Sequence, residues 1–199
     1  MDHYFRPRPD LESRPTAFTV TVAGRALRFR TDRGVFSRGG LDAGSRLLIE
    51  TVTLEPAARL LDLGAGYGAV GLALKARFPD ARVTMIDINP RAAALAEHNA
   101  AQNGFSDVRV FAGDGIAPVA GERFDAVVIN PPIRAGKAVV FRLYREAHDA
   151  LVPGGVLWAV VHKKHGAPSH RAALQALFGE AAVVRRERGY HILQAIKRA

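Results

Sequence analysis

An apolar run that closes on an acid and then on glycines constrains this chain more than any other feature: Leu60-Leu61-Asp62-Leu63-Gly64-Ala65-Gly66-Tyr67-Gly68-Ala69-Val70-Gly71. The run reads as a buried strand, the glycines as a tight turn, and the residues after them as the start of a helix. Glycine at Gly64, Gly66 and Gly68 permits positive φ and lets a ligand reach the main chain where a Cβ would collide. Something flat or charged is expected on that turn.

The strand-then-helix unit repeats. Arg59 to Leu63 is followed by a helix to about Phe78, with Val70, Leu72, Leu74 and Phe78 on its apolar side. Val83 to Ile88 is a second strand. Asn89-Pro90 then supplies an N-cap and a proline at the first helical position, and Asn103-Gly104 stops that helix. Val108 to Ala112 and Phe124 to Ile129 are short apolar runs of the kind buried in a parallel sheet. A helix from about Ala138 to Leu151, closed by Pro153-Gly154-Gly155, leads to a fifth strand, Val156 to Val161, and Pro168 to Phe178 reads as helix. Ala182 to Arg186 and His191 to Ile196 flank Glu187-Arg188-Gly189 so closely that they must pair antiparallel. The expected fold is α/β, a Rossmann-like doubly wound sheet, mostly parallel with one antiparallel strand at its end.

Ahead of the sheet, residues 1–16 place Pro7, Pro9 and Pro15 among Arg6, Arg8 and Arg14, a basic arm unable to build a core. Phe18, Val20 and Val22 alternate, Ala23-Gly24 turns, and Leu27 and Phe29 alternate with Arg28 and Arg30, which predicts a β-hairpin. A glycine-rich segment from Thr31 to Asp42 holds Phe36 and Leu41, and Leu47, Leu48, Ile49 and Val52 announce a helix. The expected organisation is the arm at 1–16, a hairpin and helix extension at 17–56, and the sheet domain at 57–199.

Composition narrows the partners. Lys plus Arg is 28 against 19 Asp plus Glu, a net +9, which favours a polyanion and puts nucleic acid ahead of a merely arginine-rich surface. With no cysteine, disulfides, thiolate metal sites and cysteine nucleophiles are excluded. No apolar run nears the roughly 20 residues that cross a bilayer, and the charged N-terminus lacks a signal peptide's apolar core. A cytoplasmic protein with no membrane partner is expected. His162, His165 and His170 lie beyond the fifth strand without an acid cluster, so no metal is expected.

Ligands of such sheets bind outside the carboxyl ends of the strands. Here those ends carry Asp62 with the glycines, Asp87, Gly113-Asp114-Gly115 and Asn130-Pro131-Pro132-Ile133. Gly66, Gly68 and Gly71 fit the G-x-G-x-x-G fingerprint of dinucleotide enzymes, and Asp87 lies where a ribose-binding acid is expected, roughly 20 residues on. Asp62, however, would oppose a pyrophosphate and suits an ammonium group, while Asp114 can accept from an adenine amine. Two consecutive prolines donate no backbone hydrogen bond, so the ladder ends at Asn130 and leaves an acceptor surface. The Asn130 side-chain oxygen and the Pro131 carbonyl can both accept from a planar exocyclic amine.

These motifs, with Gly34-Val35-Phe36-Ser37 and Leu41-Asp42-x-Gly44-Ser45, resemble the class I S-adenosylmethionine-dependent methyltransferases, and more narrowly the small-subunit (16S) ribosomal RNA guanine-N2 methyltransferase family. The resemblance implies a seven-stranded sheet and S-adenosylmethionine held by Asp62, the turn residues Gly64, Ala65, Gly66 and Gly68, Asp87 with Ile88, Asp114 with Gly115, and Asn130. It implies Asn130, Pro131 and Pro132 as the catalytic set, S-adenosylhomocysteine as product, and ribosomal RNA or the small subunit as partner. Some bacterial members carry a degenerate copy of the domain ahead of the catalytic one. Only the arm and hairpin precede it here, so RNA contacts made by that copy are not expected.

The implied target is a guanine N2, single-stranded or flipped, because a base inside a helix is out of reach. Phe36, with Ser37 beside it, or Ile133 would pack its face, although Phe36 fits a core position equally well. Arg134, Lys137 and Arg38 are candidates for flanking phosphates, and Lys163 and Lys164 for further RNA contacts or a basic rim. Adenine-N6 or protein-glutamine N-methyl transfer, and a non-catalytic RNA-binding module, are the alternatives.

Overall fold

The computed structural model describes residues 12–198. Two strands, β1 (Thr16–Val22) and β2 (Arg25–Thr31), form a hairpin in which Phe18 faces Phe29 and Val20 faces Leu27. Helix α1 (Ala43–Thr51) follows, then β3 (Arg59–Leu63), α2 (Ala69–Arg77), β4 (Arg82–Asp87), α3 (Pro90–Gln102) and β5 (Arg109–Ala112). The second half is β6 (Phe124–Ile129), α4 (Lys137–Ala150), β7 (Leu151–His162), α5 (Ala167–Phe178), β8 (Ala181–Glu187) and β9 (Tyr190–Ile196). Of the expected arm, residues 1–11 lie outside the described residues. Ser13 Oγ and the Arg14 amide donate to Asp32 at 2.7 and 2.6 Å.

The seven strands are ordered β5-β4-β3-β6-β7-β9-β8. The expected Rossmann-like sheet is therefore present, parallel except for β9, which runs antiparallel to both β7 and β8. That strand lies second from the edge rather than at the end, because the crossover through α5 leaves a gap that β9 fills on its return. Alternation divides the core. Leu60, Val128, Trp158 and Val160 face the hairpin, α1, α2 and α3. Leu61, Leu63, Val127, Ile129 and Leu157 face α4 and α5. Strands covered on both faces read as continuous apolar runs, which is why they were visible in sequence.

One boundary differs from expectation. β7 begins at Leu151 rather than at Val156, because Leu151 already pairs with Phe124 before the ladder resumes at Ala126 and Val156. The residues between bulge out at Gly154, which takes φ 79°, and Gly154 and Gly155 bond the main chain of Lys197 at 2.8 and 2.9 Å. Turn residues thus sit inside a strand that a propensity reading cuts short.

The hairpin shares its core with the sheet, since Leu27 and Phe29 pack in one cluster with Tyr67, Ala96 and Ala100. Its outer edge is closed by a helix. Asn99 accepts from the Arg30 amide at 2.8 Å and donates to its carbonyl at 2.9 Å. Asn103 does the same to Arg28 at 2.9 and 2.7 Å. Asn99 on α3 and Asn103, the residue that caps its C-terminus four positions on, point the same way and supply β2 with the partners of a strand. Among the described residues no helix is long and apolar enough to cross a membrane.

Candidate active site

The strand order reverses between β3 and β6, and the crevice outside their carboxyl ends is where such sheets bind ligands. A cleft of about 400 Å³ opens there. At its floor, Gly64 and Gly66 take φ 79° and 59°, and a Cβ on either would meet nothing within 4 Å. The turn is therefore open on its ligand side. Gly68 differs, because a Cβ there would press on Ala96 and Met85 at 3.2 Å, and it does not line the cleft. It is the left-handed N-cap of α2, so its glycine serves the turn and the packing behind it.

Two carboxylates brace this turn. Asp62 is buried and accepts from the Gly71 amide at 2.8 Å, tying β3 to the first turn of α2. Burial pushes its carboxyl up to about 7, the Asp87 charge adds to that, and the Gly71 bond opposes it. Asp87 accepts from the Gly66 amide at 2.7 Å and the Asn89 amide at 2.8 Å. Burial also raises the Asp87 carboxyl above its ordinary value, against those two bonds. Ile88, next along, is an exposed apolar side chain on the cleft wall.

Asp114 and Gly115 also line the cleft, but Asp114 is not bare. Arg142 on α4 donates to its Oδ1 at 2.7 Å and to Glu146 at 2.6 Å. Glu146 lies where a Cβ on Gly115 would stand and accepts from the Ile116 amide at 3.1 Å. Sequence reading gave Arg142 and Glu146 no role, although their i, i+4 spacing on a helix was the available signal.

Across the cleft, Asn130 follows the last residue of β6, and Pro131 and Pro132 end the ladder as expected. The Pro131 carbonyl, however, accepts from the Ile133 amide at 2.8 Å. With Pro132 at φ −74° and ψ 74°, this is an inverse γ-turn. The expected acceptor surface is thus narrower, and Pro131 retains one lone pair. Ile133 packs on the core behind α4, and Ile133, Arg134 and Lys137 lie outside the lining, the last two exposed.

The segment between β2 and α1 forms the remaining wall. Phe36 is about a third exposed and lines the cleft with Val35 and Ser37. The Gly34 carbonyl accepts from Asn89 Nδ2 at 3.0 Å, and Asp32, which anchors Ser13 and Arg14, also faces Arg91 at 3.8 Å. Ser37 holds φ 56°, a conformation that costs a non-glycine residue about 1–3 kcal/mol. His170, one of the three histidines noted above, is buried with Nδ1 2.9 Å from the Tyr144 hydroxyl, while the rings of His162 and His165 lie against each other.

Residues 26–194 match the model of the methyltransferase small domain. The chain belongs to the methyltransferase small-domain family. It is 39% identical to the uncharacterized protein YbxB of Bacillus subtilis, over 98% of each chain. It is 31% identical to the ribosomal RNA large subunit methyltransferase G of Aeromonas salmonicida, over 96% of this chain and 52% of that one. Among solved structures it is similar to the T. thermophilus 16S rRNA N2 G1207 methyltransferase in complex with AdoMet and guanosine. There the TM-score is 0.84 and the identity 29%, over 96% of this chain and 52% of that one. The chain therefore spans about half the length of the two ribosomal RNA methyltransferases. The family is one of S-adenosylmethionine-dependent methyltransferases, and the open glycine turn and its two carboxylates fit that cofactor. Among the described residues no group of His, Asp and Glu is arranged to hold a metal.

Proposed function

We propose that this protein methylates the exocyclic N2 amine of a guanosine in small-subunit ribosomal RNA. The observation that carries the reading is the placement of Asn130, Pro131 and Pro132 at the end of β6, across one cleft from the glycine turn at the end of β3. S-adenosylmethionine supplies an electrophilic sulfonium methyl when bound.

Asp62 faces the ammonium group, whose charge favours the ionised carboxylate. Gly64, Ala65 and Gly66 admit the methionine portion against the main chain. Asp87 accepts from the ribose hydroxyls through the lone pairs not taken by Gly66 and Asn89, and Ile88 covers the adenine. Asp114 accepts from the adenine amine through Oδ2, its Oδ1 being held by Arg142.

The acceptor amine is a poor nucleophile because its lone pair is delocalised into the ring. Asn130 Oδ1 and the remaining lone pair of Pro131 O accept hydrogen bonds from its two N–H groups and turn the nitrogen lone pair toward the methyl. With the cofactor bound, in-line displacement would form the N–C bond as the S–C bond is broken, leaving a thioether, and the surplus proton would pass from nitrogen to water. Positioning of this kind contributes about 7–11 kcal/mol in well-oriented pairs. Phe36 packs the base, Ser37 shapes that wall, and Arg134 and Lys137 meet flanking phosphates. The net +9 charge and the guanosine bound by the T. thermophilus relative favour this reading over a protein substrate.

The test incubates the protein and labelled S-adenosylmethionine with undermethylated 30S particles, 50S particles and naked ribosomal RNA, then digests to nucleosides. Label in N2-methylguanosine from the 30S or small-subunit arm, lost in Asn130→Ala, is the expected result. Label in N6-methyladenosine, or in large-subunit RNA alone, overturns the assignment.

A further inference from the structure

Resting on the role just given to Asn130, we propose that Ser45 is a positioning residue that holds the Asn130 amide with its Oδ1 toward the substrate. Ser45 is buried at the wall of the cleft, and its Oγ accepts from Asn130 Nδ2 at 3.0 Å, between residues 85 apart in sequence. The two ends of an asparagine amide differ by one atom yet are opposite in function, one accepting and the other donating. With Nδ2 engaged by Ser45, Oδ1 is the end left to the cleft. Turned over, the amide would present two N–H groups to an amine that also donates, and the nitrogen lone pair would lose its orientation. Because the Pro131 carbonyl is already shared with Ile133, Asn130 Oδ1 is the less committed of the two acceptors, and its orientation matters more.

The chain places this hydroxyl with three neighbouring residues. Asp42 caps α1, its carboxylate accepting from the Ser45 amide at 3.0 Å, so the first helical turn is fixed at Ser45 itself. Gly44 has no Cβ because one would stand 2.7 Å from the ring of Tyr190, the first residue of β9. Tyr190 in turn pairs with His162 at the carboxyl end of β7. The capped turn can therefore approach the strand ends closely, and Ser45 reaches Asn130 across the cleft wall. Neither Asp42 nor Gly44 touches Asn130. Their part is to deliver the hydroxyl.

The experiment compares wild type, Ser45→Ala and Ser45→Thr in two measurements. The first follows the Asn130 side-chain NH2 resonances, assigned by their loss in Asn130→Asp. Wild type and Ser45→Thr are expected to show one protected amide proton, and Ser45→Ala two that exchange rapidly. The second measures methyl transfer to 30S particles. Ser45→Ala is expected to lower kcat about 10- to 100-fold, with S-adenosylmethionine affinity and RNA KM within about twofold and the unfolding midpoint near wild type. Ser45→Thr is expected to restore most of kcat. Equal amide protection in all three proteins overturns the proposal, as does a Ser45→Ala enzyme with full kcat, or one that loses cofactor affinity and folding in step with rate. If wild type transfers no methyl to any RNA, the functional reading fails, and the amide resonances still decide the role of Ser45.

Discussion

The cleft has two sides of different construction. On the side of β3, β4 and β5 its polar groups are carboxylates held over modest separations, Asp62 to Gly71 nine residues away, Asp87 to Asn89 two away and to Gly66 21 away, and Asp114 to Arg142 28 away. On the side of β6 and α1 the bond joins segments much farther apart, Ser45 to Asn130 across 85 residues, and the wall before α1 is tied back to the first side by Asn89 to Gly34 across 55. Arg38 before α1, Arg134 and Lys137 after β6, and Lys163 and Lys164 after β7 are exposed cations. A ligand met by every family member can be read by a local motif. One that differs between members is met by a surface drawn from distant parts of the chain.

This contrast can be broken by substitution. The largest effect is expected on the second side: Asn130→Ala should slow single-turnover methyl transfer about 100- to 1,000-fold while changing cofactor affinity about threefold or less. Equal losses in both would merge the two sides. Next, Asp87→Ala should weaken S-adenosylmethionine binding about 30- to 100-fold by calorimetry, because it removes a charged acceptor and the brace on Gly66. RNA affinity should be unaffected, as read in a filter-binding assay.

Asp62→Asn sets binding against stability. The carboxyl titrates near 3.8 in the unfolded chain and about 7 in the folded one. Wild type therefore holds extra protons when folded, loses stability as pH rises between those values, and stays at the lower level above 7. The asparagine variant escapes that loss. Its advantage in urea denaturation should grow from pH 4 to pH 7 and then level, while its cofactor affinity falls about tenfold. A constant difference at all pH values would remove Asp62 from this role. The smallest effect belongs to the rim: Arg134→Ala and Lys137→Ala should each weaken RNA binding a few-fold and flatten its log–log salt dependence by about 0.7.

How much of this was legible follows the range of each interaction rather than its side of the cleft. Strands buried on both faces, the Asn89-Pro90 helix start and the glycine turn declare themselves locally, so the sheet and the acids at its strand ends could be read from residues. The bulge at Gly154 could not, since Pro153-Gly154-Gly155 is turn chemistry kept inside a strand by the main chain of Lys197. The pairing of Asp114 with Arg142, the sharing of the Pro131 carbonyl with Ile133, and the bond from Asn130 to Ser45 depend on tertiary distances that no spacing rule reports. Leu41-Asp42-x-Gly44-Ser45 was visible as a motif, yet its parts acquire roles only when α1 is seen against β6 and β9.

The amides of Asn99 and Asn103 that close the edge of β2 also order events during synthesis. Arg30 and Arg28 are translated 69 and 75 residues before the side chains that bind them. A two-stranded hairpin alone is marginal in water, and until α3 emerges its outer row of N–H and C=O groups is open to any passing strand. This early-made segment is thus among the last to be secured. Nascent chains halted between the hairpin and Asn99 are the ones expected to need a chaperone.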